Sequence, residues 1–184
     1  MKPIEDLKRE HGAVKITLRV LDSICRESEK TNALANPDHV EQLIEFFATF
    51  VDRCHHGKEE ELLFPALEEV GVSREGGPIG VMLKEHQQGR DHVANMKAAL
   101  IGYRDGDRGA AGDFVHHARA TITLLNQHIE KEKTCRCLEG VFLPVEIVVA
   151  VECGKRADEQ NREQKQGCYR VETKAQGKCP EPGP

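Results

Sequence analysis

The sequence predicts an all-α chain, an up-down-up-down four-helix bundle that runs into a divergent C-terminal tail. Three observations carry that expectation. Apolar residues recur at steps of three and four through four successive stretches before residue 134, the period of helices that each bury one stripe. β-Branched runs are sparse over the same residues, and aromatic residues make up only 4% of the chain with no Trp, so the core is expected to be aliphatic. The polar breaks between the stretches are short, as in antiparallel bundles.

The first stretch carries Ile4, Leu7, Val14, Leu18, Leu21 and Cys25, and His11 fills the one gap in its stripe. It ends in a loop over residues 29–37, where Thr, Asn and Pro gather. The second helix is expected to start after Asn36, with Pro37 in its first turn. Its stripe reads Val40, Ile44, Phe47, Val51, His55, Glu59 and Leu62, and Pro65 predicts a kink before the pattern fades at Val70. Residues 71–80, GVSREGGPIG, form a glycine-rich connection. The third helix aligns Met82, His86, Gly89, Val93, Met96 and Leu100; His92, about 240° around from His86, is expected to face solvent. After a loop at 104–112, the fourth helix carries Phe114, His117, Thr121, Leu124 or Leu125, His128 and Glu132. His117 lies about three turns from His128, so it reads as a core or rim histidine.

Composition excludes several classes. A formal charge of -5 and a pI near 6.0 argue against a nucleic-acid partner. No apolar run approaches the roughly 18 residues of a membrane span. The N-terminal MKPIEDLKREH has no apolar signal-peptide core, which points to the cytoplasm. Seven cysteines, an odd number without a secretion signal, read as reduced thiols. The chain is expected to divide into a bundle over residues 1–134 and an atypical, largely disordered segment over 135–184. The second part holds eight Lys/Arg and eight Asp/Glu, so the net charge belongs to the first. Within it, residues 138–152 are β-branched and interrupted by Pro144, and 154–184 have the composition of a disordered tail. Cys135-x-Cys137 lacks the second spaced pair that a soft-metal site requires.

The chemistry concentrates in CHHGKEEELLFP, from Cys54 to Pro65. In a helix, Glu59 sits one turn beyond His55 and Glu60 one turn beyond His56, on shared faces. Alone, such a run is equally a solvated charged surface. The second half of the chain repeats it, however. LKREH ends at His11 and LKEH at His86; His55-x-x-x-Glu59 follows the first by 44 residues and His128-x-x-x-Glu132 the second by 42. A duplicated helical hairpin follows from that symmetry. A polar interruption in each of four apolar seams needs a common cause, because unpartnered buried groups cost several kcal/mol each. A metal centre removes that cost. Two histidine–carboxylate pairs with extra histidines can hold two ions bridged by carboxylates, and a nitrogen and oxygen donor set suits iron or manganese better than zinc or copper.

Over residues 1–134 the chain resembles the hemerythrin-like proteins, the HHE cation-binding domain. The carrying pieces are REH ending at His11, HHGKEEELLFP from His55, EHQQGR from Glu85 and HIEKE from His128. The resemblance implies an up-down-up-down bundle around a non-haem centre of two carboxylate-bridged iron ions that binds dioxygen or responds to it. It implies that His11 and His55 bind one iron, His86 and His128 the other, and that Glu59 and Glu132 bridge. Blood-type members place a further histidine four residues after the third-helix histidine, where this chain has Arg90. Either His56 supplies that ligand or the second iron is under-coordinated. Oxygen carriers also use an aspartate five residues beyond the fourth-helix histidine; here that residue is Lys133, which leaves Glu132 to serve and counts against simple reversible oxygen carriage. The function so implied is binding or sensing of oxygen, iron or reactive oxygen and nitrogen species. A peroxidase built on the same centre and a metal-free interaction bundle are the rival readings.

Overall fold

The computed structural model describes residues 3–34 and 36–134 of the chain. The expected tail at 135–184, with Cys135, Cys137 and Pro144, lies outside the described residues. Four long helical segments account for the fold: α1 (Pro3–Thr31), α2 (residues 37–69), α3 (Pro78–Arg104) and α4 (Ala110–Thr134). The described residues contain no strand.

Local chemistry explains the boundaries. α1 ends where Asn32 takes a left-handed conformation, φ 52°, which asparagine tolerates better than most residues. The side chain of Asn36 then accepts from the backbone N–H groups of Asp38 and His39, both at 3.2 Å, and caps the start of α2. Pro37 and Pro78 sit in first turns, where a missing N–H removes no helical bond. The connection before α3 folds tightly back on itself: a Cβ on Gly77 would meet the Ser73 carbonyl oxygen at 2.2 Å, so that position requires glycine. α3 begins at Pro78, three residues earlier than the end of the glycine-rich stretch suggested.

Ion pairs between helices fix their directions. Arg104, the last residue of α3, pairs with Asp38 and Glu41 in the first turns of α2. Arg119, early in α4, pairs with Asp22 and Glu29 late in α1, whereas Lys15, early in α1, reaches Glu130 late in α4. Each of these contacts joins the start of one helix to the end of another, as antiparallel neighbours require.

The predicted stripes face inward. Val14, Leu18, Leu21 and Cys25 meet Val40, Ile44, Phe47, Val51, Met96, Leu100, Phe114, Leu125 and Ile129 in the main core. A smaller cluster of Phe64, Leu67, Ile79 and Met82 lies toward the far end of α2 and the start of α3. The polar residues of the seams fall between these two apolar blocks along α2 and α3.

α2 departs from a simple helix. Pro37–Phe46 is α-helical, Phe47–His56 and Glu59–Leu63 are π-helical, and Phe64–Glu69 returns to α. The second π segment ends just before Pro65, whose ring and missing N–H are incompatible with an uninterrupted α ladder. The proline therefore coincides with a change of helical pitch. His92 also differs from expectation: it is half-buried, its Nδ1 3.2 Å from that of His117, because α4 packs over that side of α3.

Phe114 is fully buried in the main core while Ile101 is 54% exposed. Phe114→Ala is expected to cost about 3–5 kcal/mol of stability, and Ile101→Ala to stay within about 0.5 kcal/mol. Chemical denaturation of the two variants checks this.

Candidate metal centre

Helical spacing decides which side chains converge. His11 projects from the first third of α1, His86 from the early part of α3, and His128 and Glu132 from one face of α4. On α2, His55, His56 and Glu59 are all buried, each no more than 3% exposed. In a regular α-helix adjacent residues diverge by about 100°, which would send one of two neighbouring histidines away from the seam. The π-helical turn, with its i to i+5 bonds, is wider and reduces that divergence. Both imidazoles thereby enter the interior.

Two groups of donors result. In the first, His11, His55, Glu59 and Glu132 each offer a ligand atom within 4.8 Å of the others; in the second, His56, Glu59, His86 and His128 do the same. All seven sequence-predicted residues thus come together. Glu59 belongs to both groups: its Oε1 lies 3.5 Å from His55 Nε2 and its Oε2 3.2 Å from His86 Nε2. Glu132 spans them likewise, with Oε2 2.8 Å from His11 Nε2 and Oε1 2.5 Å from His128 Nε2. The Nε2 atoms themselves face one another, at 3.0 Å between His11 and His55 and 3.2 Å between His86 and His128.

A surrounding ring of charged groups, which sequence reasoning missed, sets the orientation of the imidazoles. His55 Nδ1–H donates to Glu10 at 3.0 Å, His128 Nδ1–H to Glu85 at 3.0 Å, and His86 Nδ1–H to Glu60 at 2.7 Å. An imidazole that donates from Nδ1 keeps its Nε2 lone pair for an electrophile. Lys58 pairs with Glu10 and Lys131 with Glu85. The signal for this ring was present in the repeat: a glutamate precedes both His11 and His86, and a lysine follows both His55 and His128 by three residues.

The electrostatics follow from burial opposed by these partners. Burial raises the Glu10, Glu60 and Glu85 carboxyls, but their His, Lys and Arg partners outweigh it and hold all three below the usual carboxylate range. The same opposition, with His11 and His128 as partners, keeps Glu132 ionised. Burial lowers the His56 imidazole to about 4 despite Asp52, so it is neutral at pH 7 with a free lone pair. His128 goes the other way: burial depresses it, and Glu132, Glu59 and Glu85 together carry it up to about 9.

This arrangement fits a cation better than it fits hydrogen bonding among the side chains alone. Glu59 Oε2 lies close to a ring nitrogen yet has no hydrogen-bond partner, and neither does His11 Nδ1 or either nitrogen of His56. A carboxyl group buried in a dry seam costs several kcal/mol unless it finds a polar or charged partner. The converging donors are nitrogen and oxygen only. Cys54 beside His55 is exposed and Cys25 sits in the apolar core.

Comparison with known proteins agrees with this geometry. The family model described as the hemerythrin HHE cation binding domain matches residues 2–134. Uncharacterized proteins of Mycobacterium bovis and of two strains of Mycobacterium tuberculosis are 26% identical to it over 130 residues, which is 71% of this chain and 50% of each relative. The chain therefore spans about half the length of the curated relatives it matches. No solved structure matches it. With the family model covering the whole described bundle, the chain belongs to the hemerythrin HHE cation-binding domain family.

Proposed function

We propose that the bundle holds two iron ions, non-haem and carboxylate-bridged, and uses them to bind or sense dioxygen or a related reactive oxygen or nitrogen species. The observation that carries the reading is the reach of Glu59 and Glu132, each with one oxygen toward either histidine group. His11 and His55 are assigned to one ion and His56, His86 and His128 to the other. A cytoplasmic setting is part of the proposal; among the described residues no helix is long and apolar enough to cross a membrane.

When bound, the ions supply electrons and open coordination positions for a small oxidant. The chain's own residues do the rest. Glu10, Glu60 and Glu85 retain the Nδ1 protons of three histidines and so keep the Nε2 lone pairs turned inward. Glu59 and Glu132 balance the ionic charge from within the seam. Val51, Leu125 and Ile129 belong to the apolar block on one side, and Phe64 and Met82 to the block on the other, and both restrict water. Phe64 stacks near the His86 ring, centroids 5.8 Å apart, and closes that side.

The protein purified after iron supplementation should carry about two irons per chain, one for each donor group. Glu59→Ala and Glu132→Ala should each retain less than half of that iron, while exposed His116→Ala retains it. Metal analysis of the three variants decides this, and equal retention overturns the site.

Metal uptake should also expel a proton. His128 in the metal-free protein stays protonated up to about pH 9, and a ligand must be deprotonated to bind. Near pH 7 the expected release is about one proton from this group, and affinity should rise with pH until about 9. Calorimetry in two buffers of different ionisation enthalpy measures it; an uptake heat independent of buffer contradicts it.

A further inference from the structure

Three of the inner histidines donate Nδ1–H to a carboxylate, and each of those carboxylates meets a cation. Glu10 meets Lys58 and Glu85 meets Lys131, two arrangements related by the internal repeat. The third breaks the repeat: Glu60, which accepts from His86, meets Arg90. Arg90 stands one turn after His86 on α3, and its guanidinium has a second partner. Its Nη2 donates to Glu60 Oε1 at 2.7 Å and its Nε to Asp52 Oδ1 at 2.7 Å.

Asp52 in turn stands one turn before His56 on α2, with Oδ1 3.8 Å from His56 Nδ1. One planar group thus fastens the carboxylates beside two imidazoles. Those two rings lie face to face, with centroids 3.8 Å apart and planes within 8°. The rings of His11 and His55 meet edge-on instead, at 4.7 Å and 73°. Neither ring nitrogen of His56 has a hydrogen-bond partner; its ring stacks on His86, meets His128 and His55 at 5.7 and 5.8 Å, and has Asp52 nearby.

We infer that Arg90 is a positioning residue: by clamping Asp52 and Glu60 together it fixes the stacked rings of His56 and His86 and so presets the donor group of one ion, without acting on the His11–His55 pair. This rests on the two-ion reading above. The clamp works through shape more than charge. Arg90, Asp52 and Glu60 are 32%, 31% and 26% exposed in their side chains, so solvent screens their mutual attraction. The rigid fork of a guanidinium can hold two carboxylates at once, whereas an ammonium is a single point charge on a flexible stem.

The test is stepwise anaerobic titration of the full chain with Fe(II), repeated with Co(II) as a redox-inert spectroscopic probe. Wild type should take up two equivalents. Arg90→Met should keep one equivalent at wild-type affinity and weaken the other roughly 10–100-fold, the usual effect of removing a residue that orients a ligand. Arg90→Lys should fall between the two, since it retains one carboxylate contact. Asp52→Asn should weaken the same equivalent with Arg90 intact, and it carries the test if Arg90→Met does not fold. The Co(II) absorption of the weakened equivalent should change while that of the other stays constant. Unchanged affinities in the variants, or equal weakening of both equivalents, overturns the clamp. A wild-type chain that takes up no second equivalent overturns the two-ion reading beneath it.

Discussion

The interior of this bundle is organised by carboxyl groups that are shut away from water. Glu59 and Glu132 are buried in a seam otherwise lined by valine, leucine and phenylalanine. Such groups need polar partners close by, and imidazoles from all four helices stand against them. Helix register, the inward turn of each histidine and the outer ring of glutamates all follow from that requirement. An apolar substitute would pack the same volume at less electrostatic cost.

The outer ring shows how the layer is held. A histidine fixed at Nδ1 by a carboxylate has a determined tautomer and a determined ring plane, and a lysine or arginine beyond that carboxylate keeps it ionised. The two halves of the chain repeat this device, with the same residue spacing and nearly the same distances. They differ where His56 enters. The π-helical turn makes room for an additional imidazole on α2, where the matching position on α4 is Ile129, and Arg90 on α3 ties down the carboxylates beside it. The duplicated scaffold thus supports two unequal donor groups.

Membership of the HHE family accounts for the bundle and for the cation-binding character of its seam. The mycobacterial relatives are about twice as long as the stretch they share with this chain. The activity proposed for the bundle is argued from its own residues.

The four stripes, the start of α2 after Asn36 and the inward positions of His11, His55, Glu59, His86, His128 and Glu132 were legible in the sequence, because a helix places every third or fourth residue on one face whatever surrounds it. The duplication made the polar interruptions meaningful, since His11 and His86, and His55 and His128, recur at matching offsets. Regular periodicity does not reveal a change of period. The α-helical rule could turn His56 toward a neighbouring helix, but the π-helical turn and its stacking on His86 depend on packing against α3. His92 was misjudged for the same reason: an angle around its own helix says nothing about where α4 lies. Glu10, Glu60 and Arg90 read as surface charges within a single helix and become supports of the centre only when another helix brings a partner. Intrahelical spacing is local and is written in the chain. Which face of one helix meets which face of another depends on how all four stripes bury together, and that is decided only in the tertiary structure.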